Sequence, residues 1–279
     1  MQHSFRDNSL SRSIPASTSG RDALTIAIEA ARRSGDIILD RFHTLKEISF
    51  KGRANVVTDV DMLAEKAALQ LLREEYPDFG ILSEESDPIV TGSSYTWVLD
   101  PIDGTRNYAS GIPHVSVVVA LARDGEVIVG VTYDPVRKEV LTAEKGNGAY
   151  LNDAPISVSP KEEIPDCLLG FDMGYVDDRA VLALDLIKSL WPGMQSIRVM
   201  GSGALGLSYA ACGRVDIYFH HRLYPWDIAS GLLLVSEAGG RVVDRHGNPA
   251  TLESESVIAS SPHLISKFLA ATEELGWRK

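Results

Sequence analysis

The stretch YTWVLDPIDGT (residues 95–105) runs an apolar strand pattern into a loop with two carboxylates three positions apart. Residues 95–99 read as a strand from their aromatic and β-branched content. Asp100 closes that strand, so its carboxylate is not freely solvated. Pro101 fixes its own φ and removes an N–H donor. Gly104 permits a positive φ or the close approach of a ligand, and Thr105 offers a hydroxyl. Two ionised carboxylates this near raise each other's pKa unless a cation binds. Hard oxygen donors of this kind suit Mg²⁺. Taken alone, DPIDGT is equally compatible with an Asp-Pro turn whose Asp103 is solvated.

Downstream, residues 114–122, 126–133 and 139–144 read as consecutive strands, and 145–152 as a further hairpin. Upstream, Leu24, Ile28, Ala31, Gly35, Ile38 and Phe42 mark one apolar helical face. A second helix starts near Thr58, where Thr58 and Asp61 match a capping pattern, and Pro77 ends it. Beyond residue 156 the pattern alternates. Strands are expected at 167–172, 197–200, 215–219, 241–244 and 256–260, and helices at 178–190, 203–212, 227–238 and 262–275. The helix over 227–238 is apolar nearly all round, which predicts burial. Sheets with helices between and outside them make a layered α/β protein. Residues 1–20 are polar and Ser-rich and read as a disordered tail. A soft boundary near Pro155–Pro165 divides an N-terminal half, 21–155, from a C-terminal half, 156–279.

The 279 residues are 44% hydrophobic and 23% charged, the balance of a globular chain. A net charge of −11 speaks against nucleic acid and anionic membrane surfaces as partners, since both need clustered Lys and Arg. Cys167 and Cys212 have no CxxC neighbour and read as small core hydrophobes in a reducing compartment. With no bilayer-length apolar stretch and no signal-peptide core, the expected location is cytoplasmic.

Two further acidic segments bear on DPIDGT. ILSEES (81–86) places adjacent glutamates after an apolar run, a pattern that is usually a solvated charge pair. In YPWDIASG (224–231), Asp227 stands at the mouth of the apolar helix, where the helix dipole alone favours a carboxylate. Together the three segments resemble the inositol monophosphatase family of Mg²⁺-dependent, lithium-sensitive phosphatases. Its two signatures are similar to WVLDPIDGTRNYASGIPHVSVVVAL (97–121) and WDIASGLLLVSEAGG (226–240), with SEES upstream in the expected place. The resemblance runs from the first helix to the C-terminus.

The resemblance implies an αβαβα sandwich of the sugar-phosphatase type and a homodimer. It places one Mg²⁺ on Glu84, Asp100 and the Ile102 carbonyl, a second on Asp100, Asp103 and Asp227, and a third, looser ion near Glu84. Thr105, oriented by Asp61, would position and deprotonate the attacking water, and the N–H groups of Gly104 and Thr105 would cradle the phosphate. A pair of divalent ions about 3.5–4 Å apart can activate water and stabilise the leaving oxygen, so no nucleophilic side chain is required. The implied reaction is direct hydrolysis of a small phosphorylated polyol or sugar, with inositol monophosphate first. Fructose 1,6-bisphosphatase, histidinol-phosphatase and 3′(2′),5′-bisphosphate nucleotidase activities on the same site are the alternatives; Ile102, where the nucleotide-directed branch often has Leu, speaks against the last. Arg198, Gly201, Ser202, Gly203 and His220 match positions that line the substrate pocket. The best-known inositol monophosphatases carry a glutamate where this chain has His220, so an imidazole replaces a carboxylate against the substrate ring.

Gly201, Gly203 and Gly206 also show GxGxxG spacing, but the next strand ends in His220-His221 rather than the acid a dinucleotide site requires. His221 reads as a polar loop residue without a role. Asp59 and Asp61 have the spacing of an aspartyl-phosphate phosphatase, yet they open a capped helix and Leu63 stands at the motif's Thr/Val position. A sugar-phosphate sensor that keeps the fold without turnover would be marked by a lost metal ligand, and all four carboxylates are present.

Overall fold

The computed structural model describes residues 14–52, 55–174 and 176–279. Helix α1 (Ala23–Arg41) is followed by strands β1 (Ile48–Gly52) and β2 (Asn55–Thr58) and helix α2 (Asp59–Glu75). Then come β3 (Gly80–Ser83), β4 (Tyr95–Asp103), the short helix α3 (Thr105–Ala109), β5 (Ser116–Arg123) and β6 (Glu126–Asp134). β7 (Glu139–Glu144), β8 (Ala149–Leu151) and β9 (Ala154–Pro155) follow. The remainder is β10 (Leu168–Asp172), α4 (Asp177–Leu190), β11 (Ser196–Val199), α5 (Gly203–Ala211), β12 (Ile217–His220), α6 (Pro225–Glu237), β13 (Arg241–Val243), β14 (Val257–Ser260) and α7 (Pro262–Ala271).

Strands β3 to β9 form a seven-stranded sheet in chain order, antiparallel apart from the β3–β4 pair. The five-stranded sheet has the order β11-β10-β12-β14-β13, with β10 parallel to both neighbours. α1 and α2 cover one face of the larger sheet, α5 and α6 fill the space between the sheets, and α4 and α7 cover the outer face of the smaller one. The molecule is therefore the expected αβαβα sandwich.

The layering follows from side-chain alternation. Along β4, Trp97 and Leu99 join the core under α1 and α2, while Val98 joins the core with α5 and α6. With both faces covered, β5 is buried over SVVVALA. α1 presents Ile26, Ala27, Ala30, Ala31 and Ile38 inward. α2 begins with the predicted capping box, in which the Asp61 carboxylate accepts the Thr58 N–H at 2.8 Å. Such a cap contributes about 1 kcal/mol. α6 is buried along Ile228, Ala229, Leu233, Leu234 and Val235 because it touches both sheets. It lies close on β6, where a Cβ at Gly130 would stand 3.1 Å from the Ser230 backbone.

Several elements depart from the sequence reading. The β1–β2 hairpin and β3 were not anticipated; both are short, and Ile48 and Phe50 remain exposed. α7 stops at Ala271, four residues early, with Thr272 as its C-cap. The disordered segment expected over 1–20 lies outside the described residues as far as 13. Residues 14–20 are not a free tail: Thr18 N–H donates to the Glu75 carbonyl at 2.9 Å and Ser19 Oγ to the Glu75 carboxylate at 2.7 Å. Their hydroxyls satisfy a carboxylate at the end of α2, which composition alone does not reveal. Both cysteines are free, Cys167 buried and Cys212 half-buried. Among the described residues, no helix is long and apolar enough to cross a membrane.

Candidate active site

Asp100 and Asp103 both come from β4, and a break in its register aims them the same way. Asp100 pairs with Val118 and Asp103 with Ser116, so three steps on β4 match two on β5. The extra residue reverses the alternation. Ile102 joins the core under α1 and α2, and Asp103 turns to the opposite face, where Ser116 Oγ donates to it at 3.0 Å. Pro101 has no N–H to offer a strand partner. Asp227 comes from the first turn of α6 and accepts the Tyr224 N–H at 2.7 Å. One carboxylate oxygen from each of Asp100, Asp103 and Asp227 lies within 4.8 Å of the others.

The trio opens on a cleft of about 190 Å³ that Glu84, Thr105, Gly201 and His220 also line. Asp100 is 1% exposed. Burial, with the charges of Glu84, Asp103 and Asp227, pushes its carboxyl well above the usual range. Burial also raises Asp103, although hydrogen bonds from Ser202 and Ser116 oppose it. Burial, then the charge of Asp103, pushes Asp227 up to about 7. Buried carboxylates that repel one another are relieved by a divalent cation, and an all-oxygen donor set fits a hard one. Glu84 stands on the cleft wall outside the tight trio. A larger hollow, about 840 Å³, runs along α2 past Met62, Leu63 and Leu69 but shares no residue with this cleft.

Beside the trio, Thr105 Oγ1 lies 3.1 Å from Asp61 Oδ1 and 2.9 Å from the Ile102 carbonyl. Asp61 is wholly buried, and burial lifts its carboxyl to about 6. Gly104 precedes α3 at φ +91°, and a Cβ there would stand 3.1 Å from the carbonyls of both Gly201 and His114. That position requires glycine on conformation and on space. The GxGxxG glycines answer to packing: a Cβ at Gly206 would stand 2.2 Å from the Tyr218 ring. Ser202 caps α5, and Ser202 Oγ, Gly203 N–H (3.0 Å) and Ala204 N–H (3.2 Å) all donate to Asp103.

His220 ends β12 and is 4% exposed. Its Nδ1 accepts the Arg222 N–H at 3.0 Å, and burial drives its pKa down to about 3. The ring is therefore neutral with the proton on Nε2. His221 lies, as expected, in the loop after β12, but it is buried and stacked on His220 at 5.3 Å. Two predicted residues stand off the cleft wall. Asp61 reaches it through Thr105, whereas Arg198 is exposed and turns its guanidinium to Ser196 Oγ and the Ile197 carbonyl, both at 2.8 Å.

Two residues at the site were missed. Asn107 Nδ2 reaches the carbonyls of His114 (2.9 Å) and Met200 (3.1 Å). Asp172, at the end of β10, lines the cleft and accepts from Met200 N–H and the Tyr218 hydroxyl. An acid at a strand end, as in FDMG (171–174), was the available signal.

The chain matches the family model described as the inositol monophosphatase family over residues 21–276. Inositol monophosphatase 1 of Solanum lycopersicum is 36% identical over 258 residues, covering 90% of this chain and 94% of that protein. A protein named Nus factor SuhB from Pasteurella multocida (strain Pm70) is 37% identical over 250 residues, covering 88% and 94%. The crystal structure of suhB from Bartonella henselae superposes with a TM-score of 0.86 at 33% identity, covering 90% and 98%. An IMPase of Thermotoga maritima superposes with a TM-score of 0.84 at 33% identity, covering 91% and 98%.

Proposed function

This chain belongs to the inositol monophosphatase family, whose members are phosphoric monoester hydrolases, and from that membership we propose that it hydrolyses inositol monophosphate with Mg²⁺ as its cofactor. The observation that carries the proposal is the convergence of Asp100, Asp103 and Asp227 at one cleft. With Glu84 and the Ile102 carbonyl they would hold the ions, and crowded carboxyls raised by burial and mutual repulsion fit that task. Bound there, divalent cations supply positive charge for the phosphoryl oxygens and lower the pKa of a water.

The chain's own groups do the rest. Thr105 Oγ1 donates toward Asp61 or the Ile102 carbonyl and so keeps a lone pair for the attacking water. Asp61 remains mostly ionised at neutral pH and can draw the proton that Thr105 passes on. The N–H groups of Gly104 and Thr105 are the phosphate's donors. Gly201, Ser202 and Gly203 line the same cleft and face the substrate beyond the ester.

His220 favours a second reading. A neutral Nε2–H donor meets a second phosphate as readily as a ring hydroxyl, so fructose 1,6-bisphosphate is the next candidate. Family membership also leads us to expect a homodimer and inhibition by millimolar lithium. The test is phosphate release from a panel of inositol, fructose, histidinol and nucleotide phosphates, with and without EDTA. Inositol monophosphate is expected to show the highest kcat/KM, and EDTA to abolish release. Metal-dependent release from none of the panel would leave a sugar-phosphate sensor instead.

A further inference from the structure

We infer that Asp172, which no part of the proposed reaction uses, is a positioning residue that fixes Asp103 through the turn at Met200–Ser202. The inference rests on the reading of Asp100, Asp103 and Asp227 as the cation site. Asp172 is 5% exposed, and a buried carboxylate must be satisfied by donors or neutralised. Its Oδ1 accepts the N–H groups of Met200 (2.8 Å) and Gly201, and its Oδ2 accepts the Tyr218 hydroxyl at 2.9 Å. The Tyr218 ring is itself held by Gly206, which leaves no room for a Cβ.

The turn so held lies between elements. β11 ends at Val199 and α5 begins at Gly203, so Met200, Gly201 and Ser202 belong to neither. Asp172 grips their N–H side and Asn107 their carbonyl side. The next donors along the chain, Ser202 Oγ and the N–H groups of Gly203 and Ala204, all end on Asp103. A continuous path of hydrogen bonds therefore runs from Tyr218 through Asp172 and the turn to Asp103. If the turn relaxes, Asp103 loses donors that set the direction of its oxygens, and the trio loses its spacing.

The test is calorimetric titration of the substrate-free, full-length protein with Mn²⁺, a hard cation suited to the same donors. Asp172→Ala is expected to weaken Mn²⁺ binding about tenfold or more, the usual cost of losing a group that orients a ligand. Asp172→Asn keeps an oxygen for the Met200 and Gly201 N–H groups and is expected to stay within about threefold of the unaltered protein, a rescue by hydrogen-bonding shape. A folded Asp172→Ala protein with unchanged affinity overturns the inference. So does an Asn variant that loses as much as the Ala variant, because charge rather than positioning would then be the cause. If Asp172→Ala does not fold, Tyr218→Phe decides: a weakening of about threefold supports the path, and unchanged affinity overturns it. An unaltered protein that binds no Mn²⁺ ends the cation-site reading, and this inference with it.

Discussion

Asp227→Asn removes one charge from the trio at almost constant volume, and the amide oxygen can still accept the Tyr224 N–H. We expect kcat to fall about 100-fold or more. The melting temperature of the metal-free protein should hold or rise, because a buried repulsive carboxyl has gone. Turnover assays with differential scanning calorimetry check both, and near-normal turnover would remove Asp227 from the site. At this scale the sequence was informative where unusual residues cluster. Two acids flanking a proline and preceding a glycine are a local pattern. Asp172 showed only as an acid at a strand end, and neither its role nor that of Asn107 could be read, because both reach groups far along the chain at Met200 and beyond. His221 sits in a loop as read, but its burial against His220 was not legible, since a polar residue gives no sign of it.

Among elements, the contact of α5 with β12 carries the next prediction. In Gly206→Ala the new methyl meets the Tyr218 ring, itself fully buried, so overpacking should cost about 1–3 kcal/mol in urea unfolding. Activity should fall as well, since the displaced Tyr218 hydroxyl is the donor to Asp172. Unchanged stability would mean that α5 shifts freely against the smaller sheet. Elements with long periodic patterns or a cap were legible, as α1 and α2 show. β1 leaves Ile48 and Phe50 exposed, so it shows no buried face for a strand pattern to report. α6 starts at Pro225, two residues before the expected position, because proline suits the first turn of a helix.

For the whole molecule, the acids turn assembly into a matter of pH. Asp227 moves from 3.8 to about 7 and Asp61 from 3.8 to about 6. Groups raised in this way hold more protons folded than unfolded between the two values. Stability of the metal-free protein therefore falls as pH rises through that window. Mg²⁺ binds the ionised carboxylates, so it should raise the melting temperature more at pH 8 than at pH 5. Equal gains at both values, measured by thermal scans with and without Mg²⁺, would separate the trio from the cation. The layered α/β class was legible because sheets and helices alternate along the chain, whereas the αβαβα order came with the family resemblance. How the sheets share α5 and α6 was not legible, since that depends on which faces meet.

The irregular pairing of β4 with β5 has a consequence for how this chain can vary. Because three residues on one strand answer two on the other, segment length matters here as much as side-chain identity. Adding a single residue to β5 between Ser116 and Val118 would restore an unbroken ladder and swing Asp103 beneath α1 and α2. Every letter of chemistry would survive such an edit, and the grip on the ion would not.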